Sequence, residues 1–588
     1  MEMRWSLDEL YTGFDSPEFK GDFEALKKEI KDLRDWAEEH LTVDGSPEDK
    51  LEYFINAGNK LEKYSMVLEY VYLILSVDTM NETAAKLRGQ INEALTELAM
   101  PDAQFKKFVG SLPDLDKVIN SQGREAAQHK FYLEEARRLS RYMLSEEGEA
   151  VVSKMEQTGS VMWSQLHEQL TSTLNVKIVI DGEEKSLPLP VVRNFAYDKD
   201  AELRKKAYNA ELKAYEQVDK AVALALSGIK GEVITLSKLR GYESPLEMTL
   251  QNSRMDREIL DAMFEAMRES FPAFRGYLRK KAEMLGHKGG LPFYDLFAPV
   301  GEVNMTFTYS EAAEFVIKNF GSFHKKLGEF AERAFNNNWI DAEPREGKLG
   351  GAFCANIHAI GQSRIMSNFA GAFNDVCTLA HELGHAFHGD CLNNETALNS
   401  NYPMPIAETA STFCETLICN AALKIATPQE ALVILENDIS GVTQTIVDIY
   451  SRFQFEDEVF RRRERGPFSV NELKAIMLKA QLEAYGDGLD PEVPHPYMWL
   501  CKSHYYQASH NYYNFPYAYG QLFAMGLYAQ YLEEGEAFFD KYVALLAATG
   551  KASLYDIGRQ AGIDVRSKTF WKTSLKVVEE NIEKFIAM

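Results

Sequence analysis

Apolar residues recur at the spacing of a helix face through most of the chain. One such stripe consists of Phe23, Leu26, Ile30, Leu33 and Ala37. Lys and Glu lie between these residues, and residues 87–98 repeat the same apolar spacing. Intervals of three and four place apolar side chains on one face of an α-helix. We therefore expect a mainly helical protein.

Two regions depart from the helical spacing and predict a small amount of β-structure. Over residues 175–189, apolar and polar residues alternate ahead of Asp181-Gly182, and a second short run follows it. An Asp-Gly pair between two such runs indicates a β-hairpin. Further strand-like runs occur at residues 352–360 and 365–369.

Length and charge limit the organisation and the partners of this protein. The chain has 588 residues, with 64 Lys and Arg against 88 Asp and Glu, so its formal net charge is −24. One simple hydrophobic core rarely organises so long a chain. We expect an N-terminal helical lobe over residues 1–195, including the hairpin, and a second lobe over residues 196–588. The acidic balance argues against a general nucleic-acid binder, because phosphate neutralisation requires clustered Lys and Arg.

Neither a membrane span nor a secretion signal is recognisable in the sequence. Apolar stretches such as Tyr70 to Val77 are far shorter than the roughly 20 residues that a membrane helix needs. Residues 1–8 have neither a basic flank nor an apolar signal core. We therefore predict a cytoplasmic protein that does not enter membranes.

One segment carries the pattern of a metal site. Residues 381–385 read His-Glu-Leu-Gly-His, which is the pattern H-E-x-x-H. On a helix, His381 and His385 share one face, so both imidazoles can reach one zinc ion. Glu382 lies beside them, where a carboxylate can take a proton from a water that zinc has acidified. The alternative is a buried helix that carries two histidines and no metal.

The third ligand must come from another segment, because a catalytic zinc site uses three protein ligands and keeps one open position. Pro405 begins a predicted helix that contains Glu408 and Glu415, which are seven residues apart and share a face. We assign Glu408 as the third ligand. Glu415 then suits the role of holding a ligand histidine by its other ring nitrogen. The alternative is that both are solvated glutamates, and His388 lies too far along its helix to share the ion.

A second cluster, over residues 504–519, is dense in His and Tyr, and it includes His510, Tyr517 and Tyr519. Hydrolysis of a peptide bond at a metal creates a negatively charged oxygen, and Tyr O–H or His N–H donors can stabilise that charge. Each of these tyrosines can equally be a packing group with one polar end.

Several blocks of the sequence together resemble the oligoendopeptidase F group of the thimet-oligopeptidase-like family of zinc metallopeptidases. The blocks are WSLDELY at 5–11, YDLFAP at 294–299, KLGGAFC at 348–354, DVCTLAHELGHAFH at 375–388, ETASTFCE at 408–415 and HNYYNFPYAYGQLFAMG at 510–526. The block at 375–388, preceded by Ser367-Asn368-Phe369, is the most specific of them.

The resemblance implies a role for each matching residue. The ligands of one Zn²⁺ ion would be His381, His385 and Glu408. Glu382 would be the general base. His510 and Tyr519 would lie near the substrate and the oxyanion, with Tyr517 as a further candidate.

The resemblance also implies a fold and a substrate class. The expected fold is mainly α, with two lobes closing over a deep central channel and a small β-sheet beside the zinc helix. The lobe over residues 196–588 would be the catalytic one. Such a channel admits short unstructured peptides and excludes folded proteins.

The expected function is therefore that of a zinc-dependent oligoendopeptidase, which hydrolyses internal bonds of short peptides. Two alternatives stay open. A metallocarboxypeptidase with a similar zinc helix would remove single C-terminal residues. A catalytically silent peptide-binding protein would bind peptides and release no products.

Overall fold

The computed structural model describes residues 1–42, 44–121, 124–301 and 305–588, which are mostly helical. The first elements are α1 (Pro17–His40), α2 (Pro47–Leu61), α3 (Ser65–Val77), α4 (Glu82–Thr96), α5 (Ala99–Ser111), α6 (Leu115–Ser121), α7 (Arg124–Gln128), α8 (Lys130–Ser140), α9 (Glu146–Thr158), α10 (Ser160–Ser172), β1 (Asn175–Ile180), β2 (Glu183–Pro188) and α11 (Leu189–Asn194). Next come α12 (Ala201–Tyr215), α13 (Asp219–Arg240), α14 (Pro245–Asn252), α15 (Arg257–Met284), α16 (Tyr309–Phe323), α17 (Lys325–Asn336), β3 (Ile340–Asp341), β4 (Phe353–Ile357), β5 (Gln362–Met366) and α18 (Phe373–Leu392).

The remaining helices are α19 (Ala397–Ser400), α20 (Met404–Ala407), α21 (Thr409–Leu423), α22 (Pro428–Thr443), α23 (Ile449–Arg463), α24 (Val470–Tyr485), α25 (Met498–Cys501), α26 (Phe515–Glu534), α27 (Phe538–Ala548), α28 (Leu554–Gln560) and α29 (Lys568–Ala587). Short 3₁₀ turns lie at Glu62–Tyr64, Phe195–Tyr197, Phe293–Asp295, His358–Ile360, Gly486–Gly488, Ser503–Tyr506 and Gly535–Ala537. A π-helical turn, Gln444–Asp448, joins α22 to α23. The predicted mainly α fold is confirmed.

The first helix shows how the apolar spacing becomes packing. α1 buries all five residues of the predicted stripe. Its start is fixed locally, because the hydroxyl of Ser16 accepts the Phe19 N–H at 3.1 Å and Pro17 occupies the first turn. In the second predicted stripe, Leu87 and Leu95 lie in α4 and pack against the same core as α1.

The predicted hairpin is confirmed. β1 and β2 pair antiparallel, and Ile180 lies opposite Glu183 across the turn. Asp181 and Gly182 both have positive φ, 54° and 82°, which is what a tight two-residue hairpin turn requires. Val176 is buried while its neighbours in the strand are exposed, as the alternation predicts.

A second, three-stranded sheet has the order β3-β5-β4. β4 pairs antiparallel with β5, and β3 pairs parallel with β5. Two of its strands, β4 and β5, pack against α18, the helix that carries H-E-x-x-H. A small sheet therefore lies beside this helix, as the family resemblance implies.

The chain forms two compact units, and neither unit is one continuous segment. Unit 1 consists of Met1–Met143, Met305–Ala422 and Gln530–Ile563. Unit 2 consists of Leu144–Asn304, Leu423–Ala529 and Asp564–Met588. The predicted boundary at residues 195–196 falls within the first segment of unit 2, and the division into lobes at that position stays a prediction.

Each unit has its own interior. In unit 1, α18 packs against α17, α27 and the sheet. In unit 2, the long helix α15 packs along α29, and Tyr277 and Lys281 of α15 both donate to the buried carboxylate of Glu436. None of the helices in the described part of the chain has the length and apolar composition that crossing a membrane requires.

Candidate metal centre

The start of α18 is fixed by a side chain of the helix itself. The carboxylate of Asp375 accepts the N–H groups of Ala370 at 2.8 Å and Ala372 at 3.0 Å. A negative charge in the first turn also favours the helix through its dipole. One and a half to three turns further on, His381 and His385 project from one face, with ring centroids 5.0 Å apart.

Glu408 brings a carboxylate to these two histidines. Its Oε2 lies 3.3 Å from Nε2 of His381 and 3.6 Å from Nε2 of His385. The sequence predicted one helix from Pro405 onwards, but the structure has a break at Glu408, between α20 and α21. Glu408 therefore does not occupy a regular helix position. Its carboxylate accepts a hydrogen bond from the Ser411 hydroxyl at 3.1 Å.

The three side chains form a donor set that fits a zinc ion. Their ligand atoms all lie within 4.8 Å of one another, and no other such group of three occurs among the residues that the structure describes. Two imidazole nitrogens and one carboxylate oxygen are a ligand set of catalytic zinc sites. The chemistry of the donors and their convergence therefore both suit the metal.

Glu415 contacts the opposite edge of one imidazole. Its Oε2 lies 3.1 Å from Nδ1 of His381, so the Nδ1–H can donate to this carboxylate and leave Nε2 facing Glu408. Glu408 and Glu415 do not share one helix face as predicted, because the helix breaks at Glu408, but both carboxylates reach the ring of His381.

The surroundings of the two imidazoles shift their pKa values in opposite directions. Burial lowers the pKa of His381, but hydrogen bonds to Glu408 and Glu415 outweigh it and raise that pKa to about 10. Burial and the nearby charge of His381 lower the pKa of His385 to about 4. A metal ligand must be deprotonated, so a metal ion bound here would displace a proton from His381.

Glu382 lies in the same helix and is 6 % exposed. Burial raises the pKa of its carboxyl to about 7, and the charges of Glu408 and Glu415 act in the same direction. The side chain predicted to be the base therefore stands in a dry environment beside the donor set.

His388 is a packing residue of the interior of unit 1. It is fully buried, its Nε2 lies 2.8 Å from the hydroxyl of Thr549, and its ring stacks on Tyr402 at 4.2 Å. It does not belong to the donor set, as its distance along the helix predicted.

The predicted His/Tyr segment lies in unit 2. The exposed ring of His510 contacts Tyr513 edge-on, with centroids 5.4 Å apart, and the Tyr513 hydroxyl lies 3.4 Å from that of Tyr517. Tyr519 is placed differently: it is fully buried against Trp571. Its hydroxyl has no hydrogen-bond partner among the described residues.

Comparison with known families now decides the class of the protein. The model of Peptidase family M3 matches residues 194–577, and a model described as Oligopeptidase F matches residues 98–175. The chain belongs to peptidase family M3. This membership makes it a metallopeptidase that acts on oligopeptides, and the predicted family resemblance is confirmed.

Two curated relatives give the scale of the similarity to this M3 peptidase. Oligopeptidase PepF of Bacillus subtilis is 24% identical over 600 residues, which span 99% of this chain and 87% of the relative. Group B oligopeptidase PepB of Streptococcus agalactiae is 25% identical over 406 residues, which span 68% of this chain and 66% of the relative.

Solved structures of low sequence identity share the fold. A Chlamydophila abortus structure has a TM-score of 0.85 at 19% identity and covers 99% of this chain and 98% of its own. Oligoendopeptidase-F from Enterococcus faecium has a TM-score of 0.71 at 18% identity, covering 96% of this chain and 98% of its own.

Sequence reasoning missed two residues that support the centre of this M3 peptidase. The role of Asp375 as the cap of α18 had a signal, since an acidic residue stands in the first helical turn. Asn356 of β4 had none: its amide donates to the main-chain carbonyl of His385 at 3.3 Å, a contact that only the packing of sheet on helix creates.

Proposed function

We propose that this M3 peptidase is a zinc-dependent oligoendopeptidase that hydrolyses internal bonds of short, unstructured peptides. The observation that carries the proposal is the convergence of His381, His385 and Glu408, with Glu382 on the same helix as the two histidines. The printed names of the relatives support the substrate class, since one is called an oligopeptidase and another an oligoendopeptidase.

The donor set supports zinc as the metal. His381 and His385 would hold zinc through Nε2 and Glu408 through Oε2, and the bound ion would polarise the scissile carbonyl and acidify a water molecule. Glu415 keeps Nδ1 of His381 protonated and its ring in place. This second contact leaves Nε2 of His381 available as a ligand.

Glu382 acts as the general base and then as an acid. Its carboxylate takes a proton from the attacking water and passes it to the leaving amine. Its burial removes competing solvent and strengthens its interaction with a nearby proton donor.

We further propose that His510 and the tyrosines of its segment donate to the peptide carbonyl or to the developing oxyanion. Tyr517 is the half-buried tyrosine that contacts Tyr513, which in turn contacts His510. The hydroxyl of Tyr519 lies in the interior of unit 2, so Tyr517 is the better placed donor in this arrangement. The role of Tyr519 stays a prediction from the family resemblance.

Product analysis tests the proposal. An unstructured peptide of about a dozen residues is given to zinc-loaded enzyme, and the products are identified by mass spectrometry, with Glu382→Gln alongside. We expect internal cuts by the wild type and a loss of turnover of about 10²–10⁴-fold in Glu382→Gln with zinc retained. Glu329→Gln removes an exposed glutamate of unit 1 and serves as the matched control.

Each other outcome contradicts the proposal in its own way. A ladder of products shortened from the C-terminus would show a carboxypeptidase. Peptide binding without products across several sequences would show a silent binding protein. Full turnover by Glu382→Gln would remove this glutamate from the role of base.

A further inference from the structure

Unit 2 contains a cavity of about 480 Å³ that the proposed chemistry does not use. We call it the α11 cavity, because α11, α12, α25 and the turn Phe293–Asp295 supply most of its wall. Its aromatic lining consists of Tyr197, Tyr208, Phe293, Tyr294 and Phe297. Such a wall suits an apolar or aromatic group of a ligand.

A lysine without a counter-ion lines this cavity. Lys502 is half-buried, and its ammonium group has neither a hydrogen bond nor an ion pair with any residue in the described part of the chain. Two arginines lie near this lysine, and each has its own carboxylate partner: Arg193, which also lines the cavity, pairs with Glu211, and Arg452 pairs with Asp448. Burial and the charge of Arg452 lower the pKa of Lys502 although the nearby carboxylate of Asp448 opposes them, so an anion in direct contact with the ammonium group would stabilise its charged form.

Two fully buried lysines of unit 2 each have a carboxylate partner, which the half-buried Lys502 lacks among the described residues. Lys230 lies 2.6 Å from a carboxylate oxygen of Glu456, and Lys281 lies 2.6 Å from one of Glu436. Burial of a charge is costly unless a partner of opposite sign accompanies it. Lys502 lacks such a partner among the described residues, so the partner we infer is a ligand.

A buried histidine offers a second polar contact in the same cavity. His495 is 2 % exposed and lies with Nε2 3.4 Å from a carboxylate oxygen of Glu211. Its Nδ1 has no hydrogen-bond partner among the described residues. An unpartnered buried nitrogen in a cavity wall is the type of group that a ligand or ordered water satisfies.

The unpaired lysine is also close in the chain to the His/Tyr segment. Lys502 immediately precedes the turn Ser503–Tyr506, in which the ring of His504 stacks on Tyr513 at 4.9 Å. Tyr513 contacts both His510 and Tyr517. One short turn therefore connects the cation to the segment that we propose to hold the peptide.

We propose that the α11 cavity binds the C-terminal carboxylate of a peptide, with Lys502 as the principal cation and the aromatic wall around the terminal side chain. This inference rests on the proposed peptidase function for its ligand. The recognised chemistry is a carboxylate on an apolar body, which both a peptide substrate and a cleaved peptide product carry.

Ligand binding tests the proposal without any turnover. The probes are N-acetylphenylalanine and its amide, titrated by calorimetry into the zinc-loaded enzyme. We expect the acid to bind about tenfold more tightly than the amide. Lys502→Met should reduce this preference to less than about twofold, while Lys502→Arg should preserve most of it. Lys220→Met, which removes an exposed lysine of unit 2, should leave the preference unchanged.

Three outcomes would overturn the proposal. The acid and the amide could bind equally to the wild type. The preference for the acid could persist in Lys502→Met and vanish on removal of zinc, which would place the carboxylate at the metal. Inorganic phosphate or acetate could bind as tightly as N-acetylphenylalanine in the same titration, which would make the cavity a general anion site.

A kinetic arm separates this proposal from the peptidase function and distinguishes the two sources of the carboxylate. For peptides with a free or an amidated C-terminus, Lys502→Met should raise KM for the acid alone and leave kcat nearly unchanged. The wild type could instead show equal KM values for the acid and the amide peptide, together with inhibition by acid products that Lys502→Met abolishes. That result would assign the site to the product. If no peptide is cleaved, the peptidase function fails, and the calorimetric result still decides whether the cavity binds a carboxylate.

Discussion

A Cβ atom on Gly384 would lie 2.5 Å from the main-chain carbonyl oxygen of Ala410 and 2.6 Å from the Cα of Ser411. The backbone of α21 therefore passes directly over the fourth residue of H-E-x-x-H, immediately before His385. A side chain at this position would separate α18 from the segment that carries Glu408. The glycine thus sets the distance between the two histidines and the third ligand.

Gly384→Ala tests this relationship. The methyl group has no space, so we expect α21 to shift away, with a destabilisation of about 1–3 kcal/mol, the usual cost of overpacking. Zinc affinity should fall with it, because Glu408 moves relative to His381 and His385. The measurement is zinc binding in competition with a chelator, together with the midpoint of thermal unfolding.

Gly89→Ala is the matched control for this substitution. Gly89 lies within α4 of the same unit, and a Cβ atom there would meet nothing within 4 Å. Alanine favours a helix by about 1 kcal/mol over glycine, so the control should be neutral or stabilising and should bind zinc normally. Equal behaviour of the two variants would show that the close approach at Gly384 has no effect on the centre.

Glu415→Ala should weaken zinc binding without removing a ligand. The change deletes the carboxylate 3.1 Å from Nδ1 of His381, so the ring loses the contact that orients it. Loss of such a partner typically costs about 10–100-fold in metal affinity. Glu408→Ala should cost more, and Glu415→Gln less, since the amide oxygen can still accept from Nδ1–H. Wild-type affinity in Glu415→Ala, measured by the same chelator competition, would contradict the orienting role.

Tyr517→Phe and Tyr519→Phe should have different effects. We expect Tyr517→Phe to lower kcat by about 10²–10³-fold, the usual effect of removing one oxyanion donor. Tyr519→Phe removes a buried hydroxyl without a partner among the described residues, so kcat should change little and thermal stability should be kept or raised. Peptide kinetics and thermal unfolding of both variants measure this. A large loss of kcat in Tyr519→Phe alone would show that Tyr519, as the family resemblance implies, is the residue that acts near the substrate and the oxyanion.

The parts of the centre that the sequence predicted are the parts that local spacing determines. His381 and His385 are one helical turn apart, so the pattern alone puts them on one face. The spacing of Glu408 and Glu415 predicted that both would point towards the same site, and both carboxylates reach His381, although Glu408 does so from a break between two helices. The fold class and the hairpin around Asp181-Gly182 follow from periodicity and turn chemistry in the same way.

The parts that the sequence did not predict depend on contacts between distant segments. Unit 1 assembles from three separate stretches of chain, and no local pattern indicates which stretches pack together. The interior position of Tyr519 results from its packing against Trp571 of α29, which is distant in the chain. The helix break at Glu408 likewise has no signal in the sequence, because the apolar spacing continues unchanged from α20 into α21.

His388 should make unit 1 sensitive to mild acid. Burial lowers the pKa of its imidazole from 6.5 to about 3. Below pH 6.5 the unfolded chain therefore binds a proton that the folded protein does not bind until about pH 3, so stability is lost as the pH falls through this window. Between pH 7.5 and 5.5 this one residue should contribute a loss of about 1.4 kcal/mol. Urea unfolding of the metal-depleted protein should show a correspondingly smaller loss in His388→Gln, whose amide can still reach the hydroxyl of Thr549. His40→Gln, at an exposed histidine, should lose stability as the wild type does, and an identical pH dependence of His388→Gln and the wild type would show that His388 is not held neutral in the fold.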